Sequence, residues 1–432
     1  MVQHRPGQSA LFDEHKTKFF RERADYANPR WEQFCKRENE LYSRKKILRS
    51  PFYRDYTRIL HSTAYRRLKH KTQIFFATEN DHICTRIEHA GHVASVSYTI
   101  SKQLGLDTEL TSAIAIGHDL GHTPFGHQGE IVLRSLVRAK IDEDFWHERN
   151  SLRFVDVIET LPDPEGYDNN LTLTYAVRDG IITHCGEIDE NGLRPRLEAI
   201  ELGTILRPNQ VFPYSWEGCV VKIADKIAYM GRDIEDAITL KIITLSDAKN
   251  FLRRLVSRPT SKLERRKMGY GSFRDELNNT VIMDELVSDL VENSNLKDGL
   301  LFSYPYFSLI KEIKSFSCER IYNHPRLSYF KRYADLIIGS LFEALMGYYA
   351  QGETKEKLDR DSRLYPNLIS YFSDWLIKYS GSYQEERAKR KHKNRIIYDL
   401  GSERDYLMAI TDFISGMTDK FAIRCFRELT TF

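Results

Sequence analysis

The sequence predicts an all-α protein, a helical bundle extended by further C-terminal helices. Three observations carry that expectation. Apolar and small residues recur at helical spacing in several long windows. No stretch alternates polar and apolar residues for long enough to make a sheet. No internal repeat appears at a period of roughly 20–50 residues.

Tyr53–Ile100 reads as helical, with breaks near Thr78–Asp81. Within it, Gly91–Leu104 places Val93, Val96, Ile100 and Leu104 at helical spacing, and Gly105 follows as a C-terminal cap. Asp107 stands where an N-cap is needed and Glu109 falls in the first turn, so the next helix runs from Thr108 to about Asp119. It leads into LGHTPFGHQGE, where glycines and a proline force a loop and let backbone come close to a ligand. Another helix begins near Gly129, Pro162–Asn170 is a loop, and Leu171–Cys185 resumes a helical pattern. Gly218–Leu240 is a strong helix with Val220, Ile223, Ala224, Ile227, Ala228 and Ile234 on its apolar face. Residues 1–50 read as a polar arm or short helix, 51–245 as the catalytic core, and 246–432 as helices packed on that core and in oligomer contacts.

Bulk properties exclude several classes. No window approaches the ~18 apolar residues of a membrane span, and the N-terminal segment has no apolar run before a cleavage site, so a cytoplasmic protein is expected. A net charge of +3 on 432 residues is too small for a nucleic-acid coat protein. The six cysteines are far apart and none forms a CxxC, which argues against a zinc knuckle or a disulfide framework. Histidine is the unevenly distributed residue: ten of the fourteen lie between His61 and His184.

The chemistry centres on His118-Asp119. That dipeptide alone is weak, but His89 lies upstream in TRIEHAGHVA on its own helix, and Asp225 lies downstream in the apolar helix VVKIADKIAYMGRD. A carboxylate buried alone on an apolar face costs several kcal/mol or takes up a proton, and a metal ion offsets that cost. Two imidazoles and two carboxylates make a mixed N/O set suited to Mn, Fe, Co, Ni or Zn. Four protein ligands on a six-coordinate ion leave two positions for water and a phosphate oxygen. Asp225, Tyr229 and Asp233 recur every four residues and share one face, with Lys226 beside it. After His118-Asp119 come His122, His127 and Glu130. His127 and Glu130, three apart, can hydrogen-bond on one helix face, and such a pair makes a general acid near neutral pH. His147, in FWHERN, is a further phosphate or acid–base candidate.

With these residues in place the sequence resembles the dNTP triphosphohydrolase branch of the HD superfamily, which includes the bacterial dGTPases and the animal SAM-and-HD-domain dNTPases. The resemblance lies in RILHSTAYRRLKHKTQIF (58–75), TRIEH (85–89), HDLGHTPFGHQGE (118–130) and ADKIAYMGRD (224–233), and more weakly in DFISGMTDKFA (412–422). It implies an all-α fold and hydrolysis of a dNTP to deoxynucleoside and inorganic triphosphate. It also implies His89, His118, Asp119 and Asp225 as ligands of a divalent transition metal, manganese among them, and Mg²⁺ with the substrate triphosphate. His127 would then protonate the leaving 5′-oxygen, held by Glu130, with His122 and His147 near the phosphates. Arg86 and Lys226 would contact phosphate, Gln73 the nucleoside, and Tyr229 and Asp233 the sugar, where a tyrosine under the ribose helps exclude a 2′-hydroxyl. A homo-oligomer is implied as well. Leu171–Glu187 and residues 246–432 depart from the better-known dGTPases, and those regions set base preference and assembly.

Other readings stay open at this point. One is an HD phosphohydrolase acting on a nucleoside monophosphate, a cyclic dinucleotide or (p)ppGpp. Another is a nucleotide sensor or single-stranded DNA binder using two basic stretches, Arg253–Arg274 and Arg387–Arg395. A regulatory nucleotide or single-stranded DNA alongside catalysis is compatible with the same stretches.

Overall fold

The computed structural model describes residues 18–42, 48–75, 80, 82–185, 191–257 and 279–431, without the side chains of 252–257 and 279–281. Helices dominate, and those that position the site are labelled in chain order. They are α1 (Pro51–His61), α2 (Arg86–Leu104), α3 (Thr108–Gly117), α4 (Gly126–Ile141), α5 (His147–Arg153), α6 (Tyr175–Thr183) and α7 (Trp216–Thr239). From the C-terminal half come α8 (Asn279–Asn293), α9 (Tyr304–Ser317), α10 (Pro325–Met346), α11 (Glu403–Ser415) and α12 (Asp419–Thr430).

Local sequence sets the helix ends. Thr85-Arg-Ile-Glu88 is a capping box: the Glu88 carboxylate accepts the Thr85 N–H at 2.8 Å, which starts α2 five residues earlier than apolar spacing alone indicates. Gly105, at φ +78°, ends it. Asp107 caps α3 by accepting the Leu110 N–H at 2.7 Å, and Ser215 caps α7 through the Gly218 N–H at 3.0 Å. Helix α4 opens at Gly126, three residues before the expected Gly129.

Helices α2, α3 and α7 pack side by side, with α1 and α6 against α3 and with α6 also touching α5 and α7. Their inward faces, including Val93, Ile100, Ile114, Val220 and Ile227, are fully covered. The C-terminal half closes the other sides: α8 lies on α2 and α7, α9 on α7, and α10 and α11 on α4. Phe19 and Phe34, from the N-terminal segment, are buried in the same core, and the Ala24 N–H donates to Glu217 on α7 at 2.9 Å.

One expectation needs correction. Pro162–Asn170 is not wholly a loop: Thr160–Pro162 (β1) pairs antiparallel with Asp168–Asn170 (β2), Thr160 facing Asn170. Three-residue strands are too short to show an alternation in sequence. Among the described residues no helix is long and apolar enough to cross a membrane. Of the basic stretches, residues 258–274 lie outside the described residues. In the second, Arg387 is buried and its guanidinium donates to the carbonyls of Lys378 and Asn394, so it serves the fold and is not displayed to a polyanion. Arg390 pairs with Asp374 at 2.8 Å.

Candidate active site

Helices from both halves of the chain deliver side chains around one cavity of about 460 Å³. The first turn of α2 contributes Arg86 and His89, and the end of α3 is followed by His118 and Asp119. The starts of α4 and α5 contribute His127, Glu130, His147 and Glu148, and the residue after α6 is His184. Helix α7 presents Asp225, Tyr229 and Asp233, all three of which line the cavity, as their four-residue spacing requires.

Close backbone approach makes this convergence possible. A Cβ on Gly180 would sit 2.4 Å from the Ile114 side chain, so a glycine there lets α6 lie against α3 and brings His184 beside His118. A Cβ on Gly121 would meet the Ser151 N at 2.1 Å, so the loop after α3 rests directly on α5, the helix carrying His147. The loop is also held from behind. The buried Lys71 Nζ donates to the carbonyls of His122 and Ser415, and Asp419, at the start of α12, accepts the N–H of Phe125 at 3.0 Å. Phe125 itself adopts φ +63°, a conformation that costs energy for an aromatic residue and is over-determined here by that bond.

At one end of the cavity the expected ligands meet. His89 Nε2 lies 2.8 Å from Asp225 Oδ1. His118 Nε2 lies 3.4 Å from Asp119 Oδ1 and 3.7 Å from Asp225 Oδ1. His118 Nδ1 donates to the Ala115 carbonyl at 2.6 Å, which leaves Nε2 with its lone pair, buried and without a hydrogen-bond partner. A buried imidazole nitrogen aimed at two carboxylates, with its other nitrogen fixed by a backbone carbonyl, is what a divalent cation requires of a ligand. The residues present therefore fit a metal held by His89, His118, Asp119 and Asp225. Burial alone would raise Asp225, but the His89 hydrogen bond and the nearby His118 bring it down to about 2. Burial likewise opposes ionisation of Asp119, and His118, His122 and Arg86 hold it well below the usual carboxylate range.

Asp119 has further partners. Its Oδ2 accepts from Arg86 Nη1 at 2.8 Å, and its Oδ1 lies 3.0 Å from His122 Nε2. Arg86, expected to contact phosphate, is thus buried and engaged by an expected metal ligand. Beyond Asp119 the rings of His122 and His147 stack with centroids 3.9 Å apart. His147 Nδ1 is 2.9 Å from Glu130 and 3.4 Å from Glu148. Burial opposes its charge, but the carboxylates of Glu148 and Glu130 push His147 up to about 10, so it is an imidazolium at neutral pH. Glu130 falls correspondingly to about 2 against its burial, with His147 the main cause. His127 is 60% exposed at the rim and lies 3.9 Å from Glu130, outside direct hydrogen-bond reach. The short contacts of Glu130 are to His147 and, at 3.0 Å, to Arg134.

Gln73 lines the cavity with a buried amide oxygen, its backbone carbonyl 3.4 Å from Arg86 Nη2, and Tyr229, Asp233 and Tyr322 line another wall. Tyr322 donates to Asp233 Oδ2 at 2.6 Å, and burial pushes Asp233 up to about 7. Lys314, Cys318 and Lys331 complete that wall from the C-terminal half. Lys226 is buried on α7 and is not among the residues lining the cavity. A separate cavity of about 500 Å³ lies between Arg49, Arg54, Arg58, Arg66 and His61 and shares none of these groups.

Sequence reasoning did not single out His184, Glu148, Cys185 or Tyr322. His184 ended the histidine-rich window, which was the available signal. Its ring lies 4.9 Å from that of His118 and 5.6 Å from that of His147.

Residues 86–230, from Arg86 into the helix bearing Asp225, match the HD domain. Among curated proteins the chain is 32% identical over 382 residues to the deoxyguanosinetriphosphate triphosphohydrolase-like protein of Caldanaerobacter subterraneus subsp. tengcongensis, covering 88% of this chain and 85% of that one. The protein of the same description from Bradyrhizobium sp. is 33% identical over 399 residues, covering 87% and 88%. That from Bartonella quintana is 29% identical over 434 residues, covering 95% and 96%.

Proposed function

The chain belongs to the deoxyguanosinetriphosphate triphosphohydrolase-like family of HD-domain phosphohydrolases, and from that premise we propose that it hydrolyses dNTPs to deoxynucleoside and inorganic triphosphate. The observation that carries this reading is the set of groups gathered on one cavity. His89, Asp119 and Asp225, with His118 beside them, share it with the imidazoles of His122, His127 and His147 and with Tyr229, Tyr322 and Asp233, and Glu130 backs His147.

His89, His118, Asp119 and Asp225 would hold a divalent cation, which when bound would supply positive charge toward phosphate oxygens and lower the pKa of nearby water. The side chains do the rest. The imidazolium of His147, kept protonated by Glu130 and Glu148, offers a fixed positive charge to the triphosphate. Water attacks the α-phosphorus, the P–O5′ bond breaks, and His127 gives a proton to the departing O5′. His127 is at the rim where a nucleotide would enter, and Glu130 lies close enough to draw it inward when substrate displaces solvent. Tyr229, with Asp233 held by Tyr322, takes the sugar, and Gln73 takes the nucleoside.

The test is product analysis of metal-loaded protein with each dNTP and NTP separately. The expected products are deoxynucleoside and triphosphate from dNTPs, with little reaction of NTPs. Release of pyrophosphate or orthophosphate in place of triphosphate contradicts the proposal.

A further inference from the structure

The segment DFISGMTDKFA (412–422) joins the end of α11 to the start of α12, and nothing in the reaction above uses it. Two of its carboxylates are nevertheless buried. Asp412 pairs with Arg153, the last residue of α5, at 2.7 Å and accepts from the Tyr398 hydroxyl at 2.6 Å. Asp419, 3% exposed, is the first residue of α12 and reaches two separate stretches of chain. Its Oδ1 accepts the Phe125 N–H at 3.0 Å. Its Oδ2 accepts the Thr72 N–H at 3.2 Å and the Thr72 hydroxyl at 2.9 Å.

Each stretch carries a cavity-lining group: Phe125 stands two residues before His127, and Thr72 immediately precedes Gln73. The two also touch. Gly126 follows Phe125 into the left-handed region at φ +59°, and a Cβ on it would lie 3.0 Å from the Gln73 carbonyl oxygen. Two successive residues at positive φ, one of them aromatic, make a turn that is costly unless its surroundings hold it. The Thr123 hydroxyl braces it on one side through the Gly126 carbonyl at 2.8 Å, and Asp419 braces it on the other.

We infer that Asp419 is a positioning residue for the reaction proposed above, an inference that rests on that reading. With one carboxylate it fixes both the turn that leads into His127 and the segment that bears Gln73, so α12 sets where the acid stands relative to the nucleoside contact. A carboxylate suits the task because both of its oxygens accept and neither donates. An asparagine there points its NH₂ group at either the Phe125 N–H or the Thr72 N–H, and one anchor is lost whichever way the amide lies. Misplacing a reacting group by ~1 Å costs on the order of 10²-fold in rate.

The experiment is a double-mutant cycle on the metal-loaded full chain, reading consumption of whichever dNTP it turns over fastest. Asp419→Asn is expected to lower kcat by ~10²-fold. In a His127→Ala background the same change is expected to alter kcat by less than about threefold, because the group it positions is gone. Mn²⁺ bound per chain after equilibrium dialysis should match wild type. A merely structural role would lower kcat equally in both backgrounds, and that result overturns the inference, as does an unchanged kcat in Asp419→Asn. Should Asp419→Asn not fold by circular dichroism, Thr72→Ala, which takes away one of the three bonds, runs the same cycle with a smaller loss that must likewise vanish with His127. The proposed reaction fails separately, on its products, if no triphosphate is released. The anchor is then read by histidine-labelled NMR of the metal-free protein, where Asp419→Asn should move the His127 signals and leave those of His392, held by Asp168. A shift in neither, or in both, overturns the inference.

Discussion

Nδ1 of His147 lies 2.9 Å from Oε2 of Glu130, a contact between residues seventeen positions apart that joins α5 to α4. It makes Glu130 the partner of a histidine inside the cavity as well as the neighbour of one at its rim. Glu130→Gln removes one of the two carboxylates that raise His147, so His147 should titrate at lower pH than in the wild type. Histidine-labelled NMR of the metal-free protein, assigned with His147→Asn, reads this directly. An unchanged midpoint would show that Glu148 alone holds the proton.

His127 offers the cleanest separation of binding from chemistry. It is exposed and packs little of the core, so His127→Ala should fold normally. Loss of a general acid predicts a fall in kcat of ~10²–10⁴-fold, with nucleotide affinity nearly intact. Pre-steady-state hydrolysis and a binding isotherm with a non-hydrolysable dNTP check the two halves. Normal turnover removes His127 from the role.

Arg86 and Asp119 form a buried ion pair, their side chains 1% and 4% exposed. Asp119→Ala leaves a guanidinium buried without its partner, which costs about 3–5 kcal/mol. Urea unfolding in the presence of chelator should show that loss, and Arg86→Met combined with Asp119→Leu should recover most of it. A single variant as stable as wild type would mean that Arg86 finds another anion or reaches solvent.

Asp233 gives the pH dependence a sign. Burial raises it from the ordinary carboxylate value to about 7. Between those values the folded state holds a proton that the unfolded state has released, so the contribution is fully present below about pH 4 and is lost as pH rises through 7. Thermal unfolding of Asp233→Asn should therefore fall less steeply than wild type from pH 5 to 8, with the Tyr322 hydrogen bond kept by the amide oxygen. Parallel curves would place the ionisation elsewhere.

The helical frame was legible because capping residues and apolar spacing are local: Asp107, Gly105 and the face of α7 are where the chain's own chemistry puts them. The convergence of His89, His118, Asp119 and Asp225 was legible because each stands in a distinctive short segment, and the structure brings the four side chains together. Tertiary contacts were not legible. Glu130 pairs by spacing with His127, but a helix from elsewhere brings His147 closer. Tyr322 reaches Asp233 across 89 residues, and His184 meets His118 only because Gly180 lets two helices touch. Arg387 looked like part of a polyanion-binding run, yet its guanidinium is used up by two backbone carbonyls.

Hydrolysis in ¹⁸O-labelled water tests the central claim most directly. Attack of water on the α-phosphorus with cleavage of P–O5′ predicts one ¹⁸O in the released triphosphate, seen as an isotope shift on a terminal phosphorus, and none in the deoxynucleoside. Label in the 5′-hydroxyl, or a nucleoside mono- or diphosphate as the organic product, would contradict it.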